Sequence, residues 1–490
     1  MGVPLYATAG VATSCVAFLF GMDTGSIGPI TTMPSFKETL GDFSPTIHGV
    51  IVSTILIPGA LTALIAGALA NRFGHIKLIA LGSIIFGLGA AIECGSPRLG
   101  VFILGRLIKG VGEGLFLSNI YVQVSEMPPS RVRGIMTALP QFLIVSGLVT
   151  GYFTCYGTSR LGNTSLTWRL PLAIVAFLGL SLSTICFFVP PSPRWLLTKG
   201  RVDEAQQVAR RLGLEEVETK QLLAQASESL DDGEIVLSVW QSLRQTFREF
   251  RCAFSAPCRG RTAFACFIMG LQQFSGIDAV LYYAPTVFTQ AGLSGEKASF
   301  LASGVSAIVI LLATIPATIF ADRWGRRTSG IVGGVLITSL MLIIGSLYAG
   351  GQVHGSHGAG RWVVIVCIYL FAIAFSFTWA IGFRTWVVES MPRKTRNSAS
   401  SLAQCSNWLA NYIVALVTPV LISKSTFGAY YLFAFCSLFC TVMVFIFMGE
   451  TKGYSLEEIE HRYNEKKGQA VLPDPEKKQS VLASVKEISA

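Results

Sequence analysis

Twelve runs of about twenty apolar residues recur along this 490-residue chain, and no other feature restricts its fold as much. They lie at about 5–30, 47–70, 78–96, 99–125, 134–156, 169–189, 262–289, 298–321, 328–350, 362–391, 397–422 and 428–448. A run of this length crosses a hydrocarbon core of about 30 Å as a helix. Lipid offers backbone N–H and C=O groups no partner, so each run must satisfy them internally. A membrane barrel would show short alternating strands instead, and no such alternation is present. The expected fold is an all-α membrane protein of twelve transmembrane helices in two six-helix halves.

The division into halves comes from one long polar stretch. Residues 1–189 hold six runs, 190–261 form a polar linker with helix-forming segments, 262–449 hold six more runs, and 450–490 form a polar tail. Only 13% of the residues are charged, against about 25% in soluble domains, which excludes an ordinary soluble enzyme. The net charge of +10 is no nucleic-acid signal, because Lys and Arg cluster in short loops between apolar runs. Arg72/Lys77, Arg131/Arg133, Arg323/Arg326/Arg327 and Arg393/Lys394/Arg396 fall in alternate loops on the linker side. By the positive-inside rule, linker and termini are expected to be cytoplasmic. The first charge is Asp23 and no positive region precedes the first run, so that run is expected to be a retained signal-anchor helix. The eleven cysteines form no CxxC pair and sit mostly in apolar runs, and the five histidines are scattered. No metal, cofactor or disulfide framework is expected from them.

The halves repeat each other. Arg72-Phe-Gly follows the second run and Arg323-Trp-Gly the eighth. Glu126 and Arg133 stand seven apart after the fourth run, and Glu389 and Arg396 seven apart after the tenth. Repeated halves are the sequence sign of a secondary transporter with its site between them. Further motifs are Gly21-Met-Asp-Thr-Gly25, Gly105-Arg106 with Gly110-Val-Gly112, Pro190-Pro-Ser-Pro-Arg-Trp195, Gln272-Gln-Phe-Ser-Gly-Ile-Asp278 with Tyr282-Tyr283, Asp322-Arg-Trp-Gly-Arg-Arg327 and Glu450-Thr-Lys-Gly453. With these motifs the chain resembles the sugar porter family of the major facilitator superfamily over nearly its whole length. The resemblance implies alternating access by two rocking halves, a small carbohydrate substrate and no enzymatic activity. The expected partners are that substrate, protons and the lipid bilayer, in a monomeric plasma-membrane protein.

The candidate site residues follow. Asp23 is a lone carboxylate in an apolar run, which costs roughly 2.5–3.5 kcal/mol unless it is paired or protonated. Arg106 is its expected partner, and the resemblance implies that this pair couples transport to protons. Lys109 and Glu113, four apart on one helix face, are expected to neutralise each other, with tuning of the Asp23–Arg106 pair as the alternative. Gln141, Gln272, Gln273 and Asn407 match family positions that hydrogen-bond sugar hydroxyls, and an amide both donates and accepts. Tyr283 and Trp379, like Phe20 and Tyr282, can stack on a sugar face or pack in the core. Arg72, Glu126, Arg133, Arg323, Glu389 and Arg396 are expected to latch the halves on the cytoplasmic side.

Several positions depart from the family pattern. Asn71 stands where the family usually has Asp, Pro191 where it has Glu, Gly449 where it has Pro, and Ala380-Ile381 where it has Gly-Pro. Asp278 replaces a usual Asn, and Arg384 stands where the family usually has a tryptophan. A guanidinium fork fits a carboxylate, so the leading expectation is import of a sugar acid such as galacturonate or quinate with protons. The alternative is a neutral hexose or pentose bound beside an Asp278–Arg384 pair. A nutrient receptor is a weaker third reading, because the tail is only about 40 residues.

Overall fold

The computed structural model describes residues 4–129, 132–214, 219, 239–256, 258–293, 296–320, 324–354, 358–392, 395–454, 458–459 and 462–463. Every regular element among them is helical. Eleven helices are long and apolar enough to span a membrane: α1 (Leu5–Thr32), α2 (Pro45–Phe73), α3 (His75–Gly95), α5 (Gly134–Leu161), α6 (Leu166–Cys186), α7 (Arg259–Tyr282), α8 (Phe300–Phe320), α9 (Arg326–Ala349), α10 (Gly360–Ser390), α11 (Arg396–Lys424) and α12 (Thr426–Phe447). The twelfth, α4 (Leu99–Glu126), has 28 residues, ample length for a span. It falls short in hydropathy only because it carries Arg106, Lys109 and Glu113. Together they make the twelve-helix major facilitator fold.

Lipid chemistry explains the outer surface. Along α12, Phe435, Phe439, Phe445, Ile446 and Phe447 are exposed, as are Phe177, Phe187 and Phe188 at α6. Such a continuous apolar surface would be a liability in water and is the required covering in a bilayer. Hydroxyls inside the spans donate back to the carbonyl four residues earlier: Thr13 to Ala9 at 2.8 Å, Ser26 to Met22 at 2.6 Å and Thr418 to Val414 at 2.6 Å. These buried hydroxyls thus find an acceptor on their own helix.

Each half packs mainly on itself, α3 against α4 and α6 in the first and α9 against α12 in the second. The seam between halves is made by α2 against α11 and by α5 against α8, with α1 meeting the end of α7. Adding six to an index in the first half converts α2 to α8 and α5 to α11, so the two seam pairs exchange under the internal repeat. On the linker, Pro193–Thr198 and Val202–Leu212 bury Leu196, Leu197 and Ala205 in a small core of their own. The helix Val239–Ala253 lies against both α2 and α11, and its Glu249 carboxylate accepts from the Ser398 hydroxyl at 3.0 Å.

Two spans are interrupted. In α7 the helix ends at Leu271, Gln272–Ser275 forms a 3₁₀ turn, and Gly276 has φ +86° before the helix resumes at Ile277. A side chain is strained at that φ, and a Cβ would also sit 2.6 Å from the Phe433 ring, so glycine is required there. In α10 the helix breaks at Thr378. Broken helices at mid-membrane mark the substrate region of many transporters.

Candidate functional site

The first cluster is charged and entirely in the first half. Asp23, Glu93, Arg106, Lys109 and Glu113 are all at most 4% exposed. Helices α3 and α4 approach closely because Gly105 has no side chain. A Cβ there would stand 2.7 Å from Glu93 Cγ and 2.9 Å from the Gly89 carbonyl. This contact sets Glu93 beside Lys109. The Lys109 ammonium donates to Asp23 Oδ1 at 2.6 Å and also to Glu93 Oε2. Arg106 Nη1 lies 3.5 Å from Asp23 Oδ2, and its Nη2 donates to the Val52 carbonyl on α2 at 2.9 Å.

This corrects the expectation for Lys109. Its partners are Asp23 and Glu93 across two helix interfaces, while both oxygens of Glu113 are buried without a hydrogen-bond partner. Lysine is long enough to reach past its own helix, and two carboxylates on other helices outbid one four residues along. The Asp23–Arg106 contact is present, but Lys109 is the closer partner of Asp23.

The second cluster is neutral and belongs to the other half. Gln272, Gln273 and Asn407 are buried at the break of α7 and on α11. Gln273 Nε2 donates to Asn407 Oδ1 at 3.2 Å, and Asn407 Nδ2 donates to the Met269 carbonyl at 2.8 Å. The carbonyl oxygens of Gln272 and Gln273 are buried and unpartnered. So is that of Asn411, whose amide nitrogen lies 3.5 Å from the Tyr282 hydroxyl. Asn411 was missed in the sequence although it follows Asn407 by one helical turn, which was the available signal. A buried carbonyl without a donor costs about 1–3 kcal/mol. An O–H donor would satisfy each of them.

Between the clusters, Gln141 on α5 meets Arg384 on α10. Arg384 is exposed, and Arg384 Nη1 stands 3.5 Å from Gln141 Oε1, which also accepts from the Tyr121 hydroxyl at 3.3 Å. Asp278 is half-buried, and the Arg384 charge and Gln273 are among its polar neighbours. No ion pair within 4 Å joins Asp278 to Arg384 among the described residues. Trp379 is fully buried, packs on Phe383 and donates from its indole to the Gly330 carbonyl at 2.8 Å. It has no face open for stacking, so packing against α9 is the role this conformation gives it.

The side away from the linker is closed. The Tyr152 hydroxyl on α5 donates to the Leu281 carbonyl on α7. His48 Nε2 on α2 lies 2.9 Å from Thr31 Oγ1, and the His48 ring packs edge-on to Tyr283 at 5.1 Å. Tyr283 in turn donates to the Ala415 carbonyl at 2.6 Å. On the linker side the expected latch residues pair within their own half or with the linker. Glu126 accepts from the Ser192 hydroxyl, Arg326 donates to Glu389 at 2.9 Å, and Arg396 Nη2 donates to the Met391 carbonyl at 3.3 Å. Glu389 also accepts from Thr451 at 2.6 Å, and the exposed Arg72 guanidinium lies 5.6 Å from the Phe73 ring. Arg323 and the Arg133 side chain lie outside the described residues. Among the described residues no salt bridge joins the two halves on the linker side.

The sequence model of the family described as "Sugar (and other) transporter" matches residues 9–463. The chain belongs to this sugar transporter family. It is therefore a transporter of the major facilitator superfamily and not an enzyme. The glucose transporter GlcP of Staphylococcus epidermidis is 31% identical over 453 residues, 92% of this chain and 95% of that protein. The low-affinity glucose transporter HXT3 of Saccharomyces cerevisiae is 29% identical over 501 residues, 96% of this chain and 84% of that protein. Among solved structures, the inward open conformation of the xylose transporter XylE from E. coli aligns with a TM-score of 0.75 and 26% identity, covering 94% of this chain and 99% of that one.

Proposed function

We propose that this sugar transporter imports a neutral monosaccharide together with protons, in the plasma membrane, with its linker cytoplasmic. The observation that carries the substrate class is the trio of buried, unpartnered carbonyl oxygens on Gln272, Gln273 and Asn411. They accept hydrogen bonds, and sugar hydroxyls donate them. The relatives named above are glucose and xylose transporters, both neutral sugars. Proton coupling rests on the charge cluster around Asp23, which borders the moving seam through α1 and α4 and can change its ionisation only by taking or losing a proton. The cycle runs by the two halves rocking about the amide layer.

One observation favours a second reading, the sugar acid. Arg384 is exposed at the seam, with a long contact to Gln141 and Tyr121 and Asp278 as polar neighbours, and its planar fork fits a carboxylate. The test is uptake of glucose, xylose, galacturonate and quinate into proteoliposomes, with membrane potential and pH gradient set separately. A neutral sugar moved with one proton carries charge and responds to potential by about 2.3 kcal/mol per 100 mV. A monoanion moved with one proton does not. Saturable, potential-driven glucose or xylose uptake supports the main reading. Uptake confined to the acids and lost in Arg384→Ala establishes the second and overturns the first.

A further inference from the structure

The charge cluster holds an odd number of charges. Asp23, Glu93 and Glu113 are three carboxyls, and Arg106 and Lys109 are two cations, all buried. With every group ionised the cluster would carry one uncompensated negative charge away from water, which is strongly unfavourable. One bound proton makes it neutral. The hydrogen bonds decide where that proton sits. Asp23 accepts from Lys109 and lies against Arg106, and Glu93 accepts from Lys109. Both are held as acceptors by a cation. Glu113 has neither oxygen bonded.

We propose that Glu113 is the carboxyl that carries the proton of this cluster, with Lys109 holding Asp23 and Glu93 ionised. The proposal deepens the proton-coupled reading and rests on it for its role in transport. The charged groups around Glu113 are Asp23 on α1 and Arg106 and Lys109 on its own helix; Glu93 on α3 joins the cluster through Lys109, and α2 contributes the Val52 carbonyl that binds Arg106. From the second half, Tyr282 on α7 interacts electrostatically with both Glu113 and Asp278. The Tyr282 hydroxyl is 3.5 Å from Asn411 of the amide layer. Glu113 is thus the carboxyl of the cluster that acts on Tyr282 of the sugar-binding half, alongside the Arg106 cation. Loss of its proton leaves a net negative cluster. Lys109 or Arg106 must then leave Asp23 to follow the new charge, so a proton event at Glu113 is converted into a rearrangement at the α1–α4 interface.

Charge-conserving exchanges locate the proton. The carbonyl stretch of a protonated carboxylic acid is read by infrared spectroscopy on the full chain in lipid at neutral pH. Glu113→Asp is expected to move a protonated-carboxyl band and Glu113→Gln to remove it, whereas Asp23→Glu and Glu93→Asp leave it in place. A band from Asp278 would be insensitive to all four. No protonated-carboxyl band in the wild type, a band unchanged in Glu113→Gln, or one that moves with Asp23→Glu or Glu93→Asp would overturn the assignment. In proteoliposomes, Glu113→Gln is expected to keep sugar counterflow, which shows that it is folded, and to lose at least tenfold of its pH-driven accumulation. Full accumulation in Glu113→Gln would also overturn the proposal. If the wild type itself accumulates nothing on a pH gradient, the proton-coupled reading falls, and the infrared shifts still decide Glu113.

Discussion

The two halves share one architecture and are furnished differently. Next to the seam, the first half buries five ionisable side chains on α1, α3 and α4. The second half buries amides on the broken α7 and on α11, with Asp278 as the carboxyl beside them. Charges in a dry interior respond steeply to one proton, because each change of ionisation must be compensated nearby. Amides do not titrate and offer donors and acceptors at any pH. Under the proposed function, energy coupling belongs to the first half and sugar recognition to the second, with the seam as the place where one informs the other.

Lys109→Met is the largest expected blow to that division. It removes the cation shared by Asp23 and Glu93 and leaves three carboxyls facing one arginine. Breaking a buried ion pair by deleting one partner costs about 3–5 kcal/mol. Thermal unfolding in detergent is expected to show a loss of this size, largely recovered in Lys109→Met/Glu93→Met, where the two sites couple. Equal losses in the single and double variants would mean that Lys109 does not serve Glu93.

Asp23→Asn separates coupling from binding. With one carboxylate gone the cluster balances without a proton. Accumulation driven by one pH unit, about 1.4 kcal/mol or tenfold, is expected to disappear while counterflow persists. Continued pH-driven accumulation would move coupling out of the first half. Gln273→Leu sharpens the comparison from the other side. Losing a donor and an acceptor to the sugar, worth about 1.4 kcal/mol net, is expected to raise the half-saturating sugar concentration about tenfold without altering pH dependence. A changed pH profile there would blur the division.

Arg384→Ala is the smallest expected effect. The side chain is exposed and its contact to Gln141 is long, at 3.5 Å, so neutral sugar uptake is expected to stay within about twofold of wild type. Complete loss of uptake would instead make the guanidinium part of the substrate site and favour the sugar acid.

The fold was largely legible, because lipid enforces long apolar helices and the chain carries twelve such runs. Asp23 and Arg106 were also legible, since an ionisable group in an apolar run demands a partner. Lys109 was misassigned because spacing along one helix reveals only neighbours on that helix. Its partners are on other helices, and Glu93 is reached through the close α3–α4 contact at Gly105, which no spacing rule encodes. Trp379 was ambiguous for a similar reason: the Gly330 carbonyl that fixes its indole lies 49 residues away on another helix. The latch residues were legible as a repeated pattern. Which half each one pairs with depends on the conformation, and a sequence does not choose among conformations.

The central claim is that sugar bound at the amides moves with a proton held by the charges. The most direct measurement is the current and the external pH recorded together when glucose or xylose is added to proteoliposomes with no initial gradient. The account predicts an inward positive current with alkalinisation outside, one charge per sugar, both lost in Asp23→Asn while counterflow remains. Sugar entry with neither current nor pH change in the wild type, or an undiminished current in Asp23→Asn, would contradict it.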